Sequence, residues 1–413
     1  MLKFWLLGFG FFGINIVWPL YNAYVPIFLK SFGLSSFIVG TYMTIDNIFA
    51  VALTPYIGAL SDQTFTKFGR RKPYILIGAP LAAIFFLLIP IFWKHSNFAA
   101  ITFSIVIMNF SMALFRSPLI ALMPDTTASE YRSQANGIIN FMGGLGAMLA
   151  YLSGRFLYQI SPIRPFAVGS VLLLLANLFV VLFVKEPVQK DVRSGFKLRE
   201  TFTKSHAELV ENLKEVVLSK EKSLLFMLLS IFLWFVGFNA LETFFTSYAK
   251  FYLNLPEYIA TGMLGVLSLA FMIFSVPAGY IGAKFGRKRT ILAGLVSTIV
   301  CLLIGTLLSF RMGGEQLIEP FLFLFVVGGI GWALTNVNSL PMVLDMAPTW
   351  KVGGYTGLYY FSSMLANIVS PPLTGLVLDL FGYWTLFTFS AIFVSLSAVT
   401  MSFVKKGEPL KKV

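Results

Sequence analysis

TIDNIFAVALTPYIGALSDQTFTKFGRRKP, Thr44–Pro73, joins an apolar run to a cationic stop. The run reaches back to Phe37 and forward to Leu60, enough for a helix crossing the hydrocarbon, which takes about 20 residues. One carboxylate, Asp46, lies within it, and Lys67, Arg70, Arg71 and Lys72 follow it. An acid at that depth is costly and by default functional, whereas the cations fix the side on which the helix ends. Runs of this kind recur through the 413 residues. Phe4–Leu29, Phe37–Leu60, Tyr74–Trp93, Phe98–Met123, Ala135–Tyr158 and Phe166–Val184 form one set. Ser223–Leu253, Ile259–Gly282, Thr290–Phe310, Phe321–Leu344, Tyr355–Leu378 and Trp384–Val404 form a second. With 57% hydrophobic and 12% charged residues, the chain reads as an all-α integral membrane protein of twelve spans. Continuous runs, rather than ten-residue alternations, exclude an outer-membrane barrel.

The net charge of +13 would suggest nucleic acid in a soluble protein, but its placement says otherwise. Lys67 to Lys72, the cations between Lys185 and Lys222, Lys284 to Arg289 and the tail Lys405 to Lys412 fall in alternate loops. This positive-inside bias puts both termini and the central loop in the cytoplasm of a multi-pass plasma or bacterial inner membrane protein, with the bilayer and not nucleic acid as its surroundings. The start MLKFWLLGFGFFGINIVWPL has no small-residue cleavage site and a run too long for a signal peptide, so it counts as the first span. Cys301 is alone, and His95 and His206 have no cysteine partners; no metal site and no cofactor are expected. GGLG at Gly143 and GGIG at Gly328 lie inside apolar spans without a preceding strand, which reads as close helix packing rather than a nucleotide loop. No serine or cysteine has a recognisable base partner, so an enzyme is not expected.

The polar stretch 185–222 divides the spans six and six, giving an N-terminal bundle (1–184), a cytoplasmic linker with an amphipathic helix (185–222), a C-terminal bundle (223–404) and a cytoplasmic tail (405–413). In the linker, Leu209, Leu213, Val216 and Val217 share one helical stripe, suited to a helix on the membrane surface. The halves repeat one another. Pro55 and Gly58 precede KFGRRK as Pro277 and Gly279 precede KFGRKR, and Asp125, Gly137 and Phe141 match Asp345, Gly357 and Phe361. Two parallel six-helix halves with a site between them near the midplane are a transporter design.

GALSDQTFTKFGRRKP resembles the loop between helices 2 and 3 of the major facilitator superfamily, closest to the version ending RFGRRRP in its sucrose–proton symporters. ALMPD at Ala121, AN at Ala135 and the placement of the spans extend the likeness, which also takes in the related glycoside–pentoside–hexuronide cation symporters. The resemblance implies the two-bundle facilitator fold, alternating access and symport of a sugar or small glycoside, a sucrose- or maltose-like disaccharide, by a monomer. Two other readings stay open: a proton-coupled efflux antiporter for apolar compounds, motivated by abundant Phe and Met, and, more remotely, a membrane receptor or lipid-modifying enzyme.

Candidate residues follow from side-chain chemistry. Trp18, Tyr21 and Asn22 share a face of helix 1, where a ring can pack on a sugar and an amide can bond its alcohols; ordinary packing explains the aromatics as well. Asn239 and Glu242 form a stripe with Thr243 on helix 7, and Asn336 and Asn338 place amides in helix 10. Asp46 is the candidate proton carrier, with pairing to Arg116 as the purely structural alternative and Glu242 next in line. Sodium is the less favoured ion: the glycoside symporters that use it carry two acids on helix 2, and the matching positions here are Ala50 and Thr54. Plant sucrose symporters have an Asp on helix 4 with an Arg eleven residues on; here those places read Asn109 and Ile120. On a continuous helix 2, Asp46 would lie level with Asn109 and could replace the missing acid. Gly58, Asp62, Arg70, Arg71, Asp125 and Arg132 are expected to form a cytoplasmic gate, whereas the copy near Arg289 lacks an acid at the place of Asp62 and reads as a topological marker.

Overall fold

A computed structural model describes residues 2–64, 66–127, 132–186, 211–311, 313–348 and 351–407. The first helices are α1 (Leu2–Lys30), α2 (Ser36–Tyr42), α3 (Ile45–Asp62), α4 (Lys72–Lys94), α5 (Phe98–Thr126), α6 (Arg132–Ile160) and α7 (Ile163–Phe183). After the linker come α8 (Ser223–Phe251), α9 (Glu257–Phe285), α10 (Arg287–Arg311), α11 (Ile318–Asp345), α12 (Val352–Phe381) and α13 (Thr385–Ser402). Among the described residues 12 stretches are long and apolar enough to cross a membrane, α2 and α3 together supplying the second.

Two compact units result, one built from α1 and α3–α7, the other from α2 and α8–α13. In the N-terminal unit α1 packs on α6 and α7, α4 on α5 and α7, and α3 on α5. The C-terminal unit repeats these pairings: α8 on α12 and α13, α10 on α11 and α13, and α9 on α11. This is the parallel repeat that the paired motifs imply. Both glycine clusters lie at helix crossings. A Cβ on Gly146 would stand 2.6 Å from the Phe12 carbonyl, and one on Gly329 2.5 Å from that of Leu267. Close approach of backbones replaces the hydrophobic drive that lipid cannot supply between helices. Buried serines add interhelical bonds, with Ser170 Oγ donating to Ala83 O at 2.8 Å and Ser370 Oγ to Val236 O at 2.7 Å.

The second span is not the continuous helix that its hydropathy predicts. It breaks at Met43–Thr44. There the Thr44 N–H bonds to the Thr41 carbonyl three residues back, and the Thr44 and Thr41 hydroxyls donate to the Thr41 and Phe37 carbonyls. Such back-bonding hydroxyls compete with the helix ladder. The N-terminal piece, α2, groups with the C-terminal unit rather than with the first bundle, where the sequence reading put the whole run. Of the linker, residues 211–218 are helical, with Val216 buried, Val217 exposed and Glu215 paired to Lys351. Leu209 and His206 lie outside the described residues, as does the tail beyond Gly407.

Candidate functional site

Three groups of polar side chains stand out, two in the N-terminal unit and one in the C-terminal unit. The first lies in the membrane-spanning part around α1, α3 and α5. Asp46 sits in the first turn of α3, directly after the break, where the exposed N–H groups and dipole of a new helix favour a carboxylate. Asn47 Nδ2 donates to Asp46 Oδ1 at 2.7 Å. Between α5 and α1, Asn109 Nδ2 donates to the Tyr21 hydroxyl at 3.3 Å, both residues being 1% exposed. Asn109 Oδ1 is buried without a hydrogen-bond partner. Asp46 on α3 and Asn109 and Arg116 on α5 thus lie on two helices that pack together, with Tyr21 joined to Asn109 from α1. Tyr21 thus belongs with Asn109 rather than on an open face. Its ring meets Trp18 edge-on at 5.9 Å, and Trp18 and Asn22 are half-buried.

The second group lies at the cation-rich end of the same unit. Arg71, 4% exposed, directs Nε to Asp125 Oδ2 at 2.9 Å, Nη1 to the Gly58 carbonyl at 3.2 Å and to Ser61, and Nη2 to Asp62. Arg70 Nη2 meets Asp125 Oδ1 at 2.6 Å and its Nη1 lies 3.8 Å from Asp62. Glu186 completes the network. Its carboxylate accepts from the backbone N–H of Arg70 at 2.8 Å and of Arg71 at 2.9 Å, capping the start of α4 where Arg71 itself supplies no side-chain cap. Sequence reasoning passed over Glu186 because it opens the linker. A signal was present: FVKEP at Phe183 returns as FVKKGEP at Phe403. The side chain of Arg132 lies outside the described residues.

The repeat in the C-terminal unit is more than a topological marker. Arg287, the counterpart of Arg70, pairs with Asp345, the counterpart of Asp125. Lys288 donates to the Ser402 and Val404 carbonyls at 2.7 and 2.5 Å and closes the end of α13. The acid that this copy lacks at the place of Asp62 is therefore not needed for pairing.

The third group lies within the C-terminal unit. Asn239 Nδ2 bonds to Asn367 Oδ1, linking α8 to α12, and Glu242 stands half-buried one turn further along α8. Trp332 on α11 stacks on Phe238 at 3.9 Å and meets Phe235 edge-on at 5.4 Å. Asn367 and Trp332 escaped the sequence reading, since one amide or ring among many carries no spacing signal. Asn336 is half-buried. Asn338 is buried and donates to the Ala278 and Leu334 carbonyls at 3.0 and 2.9 Å, in a space left by Gly282, so its amide joins α11 to α9. Among the described residues no group of three or more His, Cys, Asp or Glu is placed to hold a metal.

The chain is 24% identical to the general alpha-glucoside permease of Schizosaccharomyces pombe over 216 residues, 46% of this chain and only 39% of the permease. Identity to the isoprimeverose transporter of Lactiplantibacillus pentosus is 23%, over 95% of this chain and 82% of that protein. Multidrug resistance protein 2 of Bacillus subtilis is 23% identical over 90% of this chain and 86% of its own. Among solved structures, that of the nucleoside transporter NupG superposes with a TM-score of 0.72 at 15% identity, covering 98% of this chain and 100% of that one, which speaks to the fold. The family model of the Major Facilitator Superfamily matches residues 4–311 and 263–413, and the chain belongs to that superfamily as a multi-pass membrane transporter.

Proposed function

We propose that this transporter carries a sugar or small glycoside together with a proton, by alternating access of its two units. The observation that carries the reading is Asp46, a carboxylate at a helix break inside the membrane, on a helix packed against α5, which carries Asn109 and Arg116. Discontinuous helices are where such transporters hold ions and substrates. A protonated Asp46 carries no charge into the apolar phase, and release of the proton restores the carboxylate. Proton entry supplies about 2.3 kcal/mol per 100 mV, enough for uphill uptake when the two cargoes are linked. Trp18, Asn22, Asn239 and Asn336 are the proposed sugar-facing groups, with Glu242 as a second titratable candidate. Tyr21 is assigned to the coupling group, and Asn338 to helix packing. Gly58, Asp62, Arg70, Arg71 and Asp125 form the proposed gate on the cytoplasmic side, together with Glu186, and both termini lie on that side.

The relatives that are sugar transporters support this reading, and the likeness to Multidrug resistance protein 2 supports a second, proton-driven efflux of apolar compounds. Purified protein in liposomes with a pH-sensitive dye inside separates them. Symport predicts internal acidification when a glycoside such as a pentosyl-glucose or maltose is added outside. Acidification or alkalinisation driven only by lipophilic cations selects efflux instead.

A further inference from the structure

Helices α4 and α7 are tied by the bond from the Ser170 hydroxyl to the Ala83 carbonyl, and toward the cation-rich end of the N-terminal unit they leave a cavity of about 180 Å³ between them. Apart from Asn177 its walls are aliphatic, drawn from Ile75 to Pro80 on α4 and from Leu174 to Val181 on α7. Leu175 and Leu178 are exposed, so the cavity opens toward the bilayer. Asn177, 2% exposed, stands about 9 Å in from the end of α7 at about 1.5 Å per residue. Its Nδ2 donates to the Leu173 carbonyl at 2.9 Å and packs against Gly13 of α1, where a Cβ would come within 3.3 Å of it. A carbonyl can only accept, so this bond fixes the orientation of the amide and leaves Oδ1 as its open end. Asn177 Oδ1 is buried, and among the described residues no donor reaches it. Leu76 adds a second acceptor, because Pro80, inside α4, has no N–H to return to the Leu76 carbonyl.

A buried acceptor left unpaired is costly, the more so in a bilayer where bulk water cannot take the place of a partner. A lipid chain brings no donor. A water seated there would want about three polar partners, and the lining offers at most two, both acceptors. Size sets the rest: an apolar cavity of about 150 Å³ takes up benzene, and this one is slightly larger. We propose that the cavity between α4 and α7 is a binding site for a small phenol, an uncharged, membrane-dissolved molecule of about one ring whose hydroxyl donates to Asn177 Oδ1 while the ring lies among the leucines. None of its residues belongs to the proposed sugar-facing groups, the coupling group or the gate, so the site is independent of what the chain carries.

Fluorine NMR of the full-length protein in lipid nanodiscs tests this with two probes, para-fluorophenol and para-fluorotoluene, which match in shape while only the first has a donor. Each titration is corrected for partition of the probe into empty nanodiscs. The phenol should bind saturably and more tightly than the toluene. In Asn177→Leu, which keeps the side-chain volume and removes the acceptor, that preference should shrink about two- to twelve-fold, the worth of one net hydrogen bond. Ala79→Phe, which fills the space from the α4 side, should remove saturable binding of both probes. If Asn177→Leu does not fold, the parental preference and Ala79→Phe decide. No saturable phenol binding, or equal corrected affinities in the parental protein, overturns the proposal and leaves the cavity to lipid chains. An unchanged preference in folded Asn177→Leu, or phenol binding that survives Ala79→Phe, overturns it as well.

Discussion

Asp125 and Asp62 both pair with Arg70 and Arg71, yet removing their charges should have very different consequences. Asp125 is 14% exposed and takes two charge-assisted bonds, from Arg70 at 2.6 Å and from Arg71 at 2.9 Å. Each such bond contributes about 1.5–3 kcal/mol, and breaking a buried pair by removing one partner costs roughly 3–5 kcal/mol. Asp62 is 49% exposed, so water replaces most of what it loses and its contribution is at most about 1 kcal/mol. Asp125→Asn should therefore lower the unfolding temperature in detergent by roughly 6–20 °C and Asp62→Asn by less than about 4 °C, at about 2–4 °C per kcal/mol for a unit of this size.

That asymmetry gives the two acids different work: Asp125 anchors Arg71, and Asp62 is the arm that can let go. Asp62→Asn should accordingly slow turnover while leaving substrate affinity close to parental, because it shifts the balance between facing states and not the site. Paired melting curves and transport rates read both effects. Equal thermal shifts, a larger shift for Asp62→Asn, or affinity lost with turnover kept would each refute this division.

The other expectations concern coupling, orientation and the repeat. Asp46→Asn should abolish proton-driven accumulation yet leave substrate exchange, and adding Asn109→Asp should restore part of the coupling; accumulation that survives Asp46→Asn makes Asp46 scaffold and Glu242 the next candidate. Cysteines introduced between Lys185 and Lys222 or after Val404 should resist an impermeant reagent applied to intact cells, and labelling at both places would invert the orientation. Reversing one member of the Arg287–Asp345 pair should destabilise the protein by roughly 1–2 kcal/mol, moderated by partial exposure, and Arg287→Asp with Asp345→Arg should recover most of it; no recovery in the melting curve argues that the pair is incidental.

What the sequence made legible was whatever depends on a residue and its near neighbours. Apolar runs became helices because a buried backbone must satisfy itself locally, and the glycine clusters marked crossings because only a missing side chain permits such approach. The repeated halves were visible in Asp125 and Asp345. Glu186 was passed over because its partners, the N–H groups of Arg70 and Arg71, lie 116 and 115 residues away, and the repeat of FVKEP near Phe403 was its one sequence signal. Tyr21 read as a cavity residue because helical spacing gives its face but not the neighbour that fills it.

The break in the second span was hidden for a related reason: its cause is partly tertiary. The threonine hydroxyls weaken the ladder, and the first N–H groups of α2 are taken by the Asp379 carboxylate of α12. This changes what Asp46 is. On an unbroken helix it would be a mid-span charge with no backbone donors to spare; at the start of α3 it has the N–H groups of a first turn beside it. The same helix ends at Asp62, 16 residues later or about 24 Å along the axis, in the grip of Arg71. One rigid element thus carries the acid proposed to hold the proton at its head and the acid proposed to latch the gate at its foot. Any tilt of α3 that accompanies protonation of Asp46 must move Asp62 against Arg71, whose position is fixed by Asp125, and no longer chain of intermediates is needed to join the two ends.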